Sequence, residues 1–214
     1  MIDHRATFLA AYQNAAYARR YRDAVATIAN AEATRARGYS GLTEAVARNL
    51  FTLMAYKDEY EVARLYTDGT FEKKLQSQFD GNFALDYHLA PPLLARRDPI
   101  TGEPRKIKIG PWIRHVFRAL AKLRALRGTA LDIFGYTQER QMERRLIVDY
   151  ERTLQEIAAS LDSGNHALCV EITSVPAKIR GYGHIKARNA ESAKACEAEL
   201  ISLLRNKGQP ASAA

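Results

Sequence analysis

Groups capable of chemistry are scattered thinly along this sequence. The nearest approach to a nucleotide-binding turn is the run GYGHIK, with Gly181 and Gly183. It lacks the third glycine of GxGxxG and follows no strand pattern, so it reads as a turn opening the last helix. There is no P-loop, no GxSxG nucleophile elbow and no HExxH pair. His4, His88, His115, His166 and His184 stand far apart, and each reads as a surface or core histidine before it reads as an acid-base catalyst. Asp58, Glu59 and Glu61 are neighbours in sequence, yet on a helix they point to different sides, with Lys57 and Arg64 at hand to pair with them. Tyr56, Tyr60, Tyr66 and Tyr87 could line a pocket, but tyrosines at helical spacing also form half-buried core. Cys169 and Cys196 have no metal-ligand spacing; they fit a reducing cytoplasm and neither a zinc site nor a four-cysteine cluster. No catalytic residue, cofactor ligand or metal ligand is assigned on these grounds.

Charge is more informative. The formal net charge is +8 over 214 residues. Between Arg96 and Arg127 ten basic residues face two acids, Asp98 and Glu103, so the whole excess sits in that stretch. A local field of one sign is a physical reason to expect an anionic partner, whether a phosphate, an acidic protein face or a nucleic acid. The candidate anion- or partner-binding residues are Arg96, Arg97, Arg105, Lys106, Arg114, Arg118 and Lys122. Paired arginines such as Arg96 and Arg97 are chemically suited to phosphate groups.

The elements that would position these groups are mostly helical. Asp3 can cap a long first helix ending near Gly38, with Phe8, Tyr12, Tyr21, Val25 and Ile28 on its apolar side. A second helix carries Leu42, Val46, Leu50, Leu53 and Met54 and bends near Lys57 and Asp58, where charge interrupts the stripe. Asp68 and Gly69 stop it, and Thr70 can cap a short helix after them. The period then changes to two, with Phe83, Leu85, Tyr87 and Leu89 alternating up to Pro91-Pro92. Ile107 and Ile109 form a second extended run, so an antiparallel pair joined by a long loop is expected.

Pro111 suits a first helical turn. The helix after it should place Ile113, Val116, Phe117, Leu120 and Leu123 on one side and Arg114, Arg118 and Lys122 on the other. That basic stripe reads either as a solvated face or as a binding face. Thr137 can cap the longest clean helix, to about Leu161, with Met142, Leu146, Tyr150, Leu154 or Thr153, Ile157 and Leu161 inward. A helix from Asn165 breaks at Val175-Pro176, and a last one runs from about His184 to Arg205. The fold expected is mainly α, a multi-helix domain with one small two-stranded β element in the middle. One helical domain should cover 1–205, with a loose tail over 206–214. No apolar stretch is long enough for a membrane span, and the Arg-rich start reads as a working helix rather than a transit peptide, which points to the cytoplasm.

Five runs, ARNLFTLMAYKDEYEVARLYTDGTFEKKLQSQF, HLAPPLLARRDPITGEPRK, GPW, LRGTALDIFGYTQERQMER and IRGYGHIKARN, are spread between Ala47 and Asn189. Together they closely resemble the C-terminal region of the long-chain bacterial indolepyruvate ferredoxin oxidoreductases, of the 2-oxoacid:ferredoxin oxidoreductase family. The resemblance implies a parent enzyme that decarboxylates an arylpyruvate on thiamine diphosphate, passes the acyl group to coenzyme A, and sends electrons through iron-sulfur clusters to ferredoxin. This chain lacks the GDG run and paired asparagines of a thiamine diphosphate site, and the cysteines of a cluster. No catalytic residue of the family carries over, so the expectation is a region that holds no cofactor and is inactive alone. Its expected partners are the catalytic segments or subunit of the parent enzyme and, in a sharper version, ferredoxin, with the basic stretch facing an acidic surface. The alternative is a free-standing helical binder of nucleic acid or another polyanion. That reading is weaker, because no nucleic-acid module is present and aromatics are sparse in the basic run.

Overall fold

The structure, a computed structural model, describes residues 1–81, 84–89 and 105–208. Among these residues are nine α-helices and one two-stranded antiparallel sheet, so the mainly α fold with a small central β element is what the chain forms. The residues gather into two compact units. Unit 1 holds Met1–Tyr56 together with the chain from Tyr136 onward, and unit 2 holds Lys57–Gly135.

Unit 1 is all helical: α1 (Ile2–Tyr12), α2 (Ala15–Arg35), α3 (Leu42–Met54), α7 (Gln138–Ser160), α8 (His166–Ser174) and α9 (Gly183–Gly208). The single long first helix expected from periodicity is two helices. Asn14 turns extended between them, and its side chain accepts from the Tyr17 N–H at 2.9 Å, an N-cap that competes with helix continuation. Asp3 does not cap α1; it lies in the first turn and pairs with Arg22 across the α1–α2 hairpin. α3 packs on α2, α7 and α8, around Tyr21, Val25, Ile28, Leu42, Leu50, Met54, Ile157 and Ile172, all at most 1% exposed.

Three tyrosines fix α3 from one side. Tyr21 donates to the Ala47 carbonyl at 2.9 Å, Tyr17 to that of Met54 at 3.0 Å, and Tyr12 to that of Tyr56 just past the helix at 2.7 Å. The Tyr17 bond satisfies a carbonyl that the helix end leaves without an intrahelical partner. Thr137 caps α7 as expected, its side chain accepting from the Arg140 N–H. Leu146, Tyr150, Leu154, Ile157 and Leu161 are buried as their spacing predicts, and Met142 is half-buried.

Unit 2 contains α4 (Glu59–Leu65), α5 (Thr70–Gln76), β1 (Tyr87–Leu89), β2 (Ile107–Ile109) and α6 (Ile113–Lys122), with a 3₁₀ turn over Leu123–Leu126. The expected bend at Asp58 is a full break, and Asp58 caps α4 by accepting from the Glu61 N–H at 2.8 Å. Thr70 is inside α5, not its cap; Gly69 occupies that position, and the Asp68 carboxylate takes the Thr70 N–H. β1 and β2 pair antiparallel with Tyr87 opposite Ile109 and Leu89 opposite Ile107. The pair is shorter than the alternation suggested; Phe83 and Pro91-Pro92 lie outside the described residues. α4 packs on α6 around a small core of Ala63, Tyr87, Ile113 and Phe117. Tyr66 joins it, stacked on Phe117 and edge-on to Tyr87 and Phe71, so this tyrosine set forms core rather than a pocket wall.

Candidate functional site

The ten cations of the basic stretch do different jobs once folded. Arg96 and Arg97 lie outside the described residues. Arg127 is a structural residue, with its side chain 2% exposed. Its guanidinium grips the Asp58 carboxylate through Nε at 2.5 Å and Nη2 at 2.8 Å, and lies 5.6 Å from the Tyr60 ring centre. Tyr60 in turn donates to Asp132, whose carboxylate also accepts from the N–H groups of Gly128, Phe134 and Gly135. Burial, and then the Asp132 charge, push the Tyr60 hydroxyl far above its ordinary pKa, so it stays a neutral donor. Lys108 pairs with Asp86 across the sheet, half-buried Arg114 pairs with Glu72 of α5, and Arg124 donates to the Ala121 carbonyl.

The remainder is smaller than the sequence count and better placed. Arg105 and Lys106 are exposed just before β2. Arg118 and Lys122 are exposed one turn apart on α6, with no carboxylate partner among the described residues. Thus the structure brings Arg118 and Lys122 together and diverts Arg114 into a local ion pair. Sequence reasoning set all three on one stripe because it counted spacing and could not see Glu72.

It also placed Val116 and Leu123 in the core with Ile113, Phe117 and Leu120. Val116 is 41% and Leu123 46% exposed, and Trp112 at the start of α6 is 62% exposed. Successive helical residues advance by about 100°, which puts Trp112, Val116 and Leu123 within roughly 40° of one another, bordering the arc of Leu120, Ile113 and Phe117 that faces the small core. His115, Arg118 and Lys122 lie on another side of the helix, about 60–160° round from these three, and are all exposed. α6 therefore has an exposed apolar edge beside its core face and a separate exposed basic side. The signal was present in the sequence: apolar residues cover about half the circumference of α6, more than the roughly 100° stripe that a single core contact uses.

Other candidates resolve into packing. His166 is buried and bonded to Glu32 at 2.9 Å, whereas His4, His88, His115 and His184 are exposed. Glu61 and Arg64 form a two-point ion pair at 2.8 and 2.7 Å. A cleft beside Tyr150 holds Asp149, Lys194 and Glu197, but Lys194 pairs with Asp149 and Thr153 donates to Glu197. Among the described residues no group of three or more His, Cys, Asp or Glu could hold a metal ion, and no helix is long and apolar enough to cross a membrane.

The GYGHIK run is a turn into α9, as its sequence suggests. Gly181 has φ +100°, and a β-carbon there would meet Ile185 Cγ2 at 2.9 Å. Its neighbour Arg180 is held by Asn189, which donates to the Arg180 carbonyl at 2.8 Å. Gly181→Ala should therefore cost about 1–2 kcal/mol, from the left-handed backbone and the contact with Ile185. A thermal melt unchanged within a degree would show that the turn relaxes freely.

A family model described as "Family of unknown function (DUF6537)" matches residues 1–199, a span that takes in both units. No curated protein and no solved structure matches the chain.

Proposed function

Because the chain belongs to the family of unknown function DUF6537, whose description assigns no chemistry, we propose from its resemblance to the C-terminal region of the indolepyruvate ferredoxin oxidoreductases that it is a non-catalytic assembly or docking region of such an enzyme. In this reading the oxidative decarboxylation of an arylpyruvate, with its thiamine diphosphate and iron-sulfur clusters, takes place in other segments or subunits. This region supplies a basic face that engages an acidic surface there or on ferredoxin. One observation carries the docking half of the proposal: Arg118 and Lys122 stand exposed and adjacent on α6 with no carboxylate partner among the described residues, whereas Lys108, Arg114 and Arg127 are neutralised locally. Opposed surface potentials steer encounter and fix orientation, and they do so most strongly at low salt.

The test is binding of the chain to the catalytic polypeptide of the oxidoreductase and, separately, to ferredoxin, at low and at physiological salt. Arg118→Glu with Lys122→Glu replaces one like-charge pair at four-residue spacing by another, so α6 should remain intact by far-UV circular dichroism. The double variant should bind roughly tenfold more weakly, with the loss shrinking as salt rises. Equal affinity for the double variant at low salt rules the docking reading out.

A further inference from the structure

The basic side of α6 is a row of three cations, one of which is already occupied. Arg114, Arg118 and Lys122 follow one another at four-residue steps, which places them within about 80° of the circumference and along about 12 Å of the axis. Arg118 and Lys122 are exposed, whereas Arg114 is held by Glu72 of α5. No acidic residue occurs between Ile107 and Arg127, so the carboxylate on this row is brought to α6 by another helix. We propose that Glu72 stands in for a carboxylate of the docking partner. The partner displaces it, takes over Arg114 and is then bound by all three cations, so Glu72 sets the affinity of the face from inside the chain. This inference rests on the docking reading above and adds to it a third contact residue and an internal competitor for that residue.

The pair is cheap to open. Its side chains are 31% and 37% exposed, and a solvated ion pair of this kind shifts an equilibrium by at most about fivefold. α5 is also lightly held: none of its seven residues is buried, and Phe71 rests edge-on against Tyr66 with 5.0 Å between ring centres. The Arg127–Asp58 pair of the same unit gives the contrast, since both its side chains are at most 3% exposed and no outside carboxylate reaches them. The Glu72 contact also indicates the chemistry of the occupant, because a guanidinium that pairs with one carboxylate offers the same donors to the next. Single-stranded nucleic acid is the weaker fit: it would meet the same charges, but the arc from Arg114 to Lys122 carries no Phe, Tyr or Trp on which a base could stack. The partner surface is therefore an acidic protein face.

The probe is a hexaglutamate peptide titrated against the full chain at about 0.1 M salt, where a Debye length of about 10 Å screens charges that are not in contact. Chemical shifts of the α6 amides report occupancy. Glu72→Gln, a change at a solvated side chain, should tighten binding two- to fivefold. Arg114→Gln should weaken it, and in that background Glu72→Gln should gain less than twofold, because no guanidinium is left to contest. Equal gains in the two backgrounds would mean that Glu72 acts only as a repelling charge at a distance, and no gain in either would mean that it does not compete for Arg114. Each of those results overturns the proposal. It also falls if hexaglutamate leaves α6 unperturbed in all four proteins, or if only a short single-stranded DNA gains from Glu72→Gln.

The two readings fail separately. If Arg118→Glu with Lys122→Glu weakens the contact with the oxidoreductase or ferredoxin while Glu72→Gln tightens nothing, docking survives and the competitor role falls. If hexaglutamate shows the expected difference between backgrounds while charge reversal leaves those protein contacts unchanged, the competitor role survives and the docking reading falls.

Discussion

Arg127→Met should destabilise unit 2 by about 3–5 kcal/mol, because it leaves the Asp58 carboxylate buried without its counter-ion. Both side chains of the pair are at most 3% exposed, so water cannot take the place of the guanidinium without opening the fold. Arg127 also spans the unit, joining the start of α4 to the segment after α6 and covering the Tyr60 ring. The effect of a charge left alone can be separated from lost contacts by adding Asp58→Asn. Asparagine still accepts from the Glu61 N–H and caps α4, but it carries no charge to strand. The double variant should therefore recover most of the loss and lie within about 2 kcal/mol of wild type, as expected when a buried ion pair is removed whole. Urea denaturation gives the magnitudes, and amide exchange in α4 and α6 shows that the change is in unit 2. A single-variant cost under about 1 kcal/mol would mean that solvent reaches Asp58 after all.

That pair also shows where sequence reasoning stops. Arg127 belongs to the run of ten cations that marks the basic stretch, and by composition it cannot be told from Arg118. What separates them is a carboxylate 69 positions away, and no local pattern encodes such a pairing. The helices were legible where a residue marks an end locally, as Thr137 does for α7 and the glycine turn does before α9, whereas at Asp58 the interrupting charge suggested a bend and the cap makes a full break. Asn14 carried the same kind of signal, but continuous apolar spacing across it suggested one helix where there are two. On α6 the periodicity gave the helix and hid its exposed apolar edge, since an apolar residue left in solvent has the same period as one facing the core. Exposure separates the two cases, and exposure depends on the tertiary packing of α4 and the small sheet against one side only.

Glu32→Ala should cost roughly 2–3 kcal/mol, and wild-type stability should carry the acid signature of this carboxylate. Glu32 of α2 acts as a remote cap for α3. The local N-cap of α3 is Gly41, which has no side chain to offer, and the Glu32 oxygens instead accept from the N–H groups of Leu42 at 2.9 Å and Thr43 at 3.0 Å. The Thr43 hydroxyl donates to it as well, and His166 of α8 approaches at 2.9 Å with the Tyr39 ring 5.1 Å beyond. One side chain thereby ties three helices together, and its negative charge sits at the positive end of the α3 dipole. Burial alone would raise its pKa; the hydrogen bonds from Thr43, His166 and Leu42 outweigh that and hold it below the ordinary 4.5. A lowered carboxylate pKa contributes stability that is complete above the unfolded value and is lost as pH falls through the folded one. Wild type should accordingly lose stability on acidification below about pH 4.5, and Glu32→Gln, less stable at neutral pH, should lack that component of the decline. Parallel pH profiles for the two proteins, or full protection of the Leu42 and Thr43 amides in Glu32→Ala, would show that α3 is capped by other means.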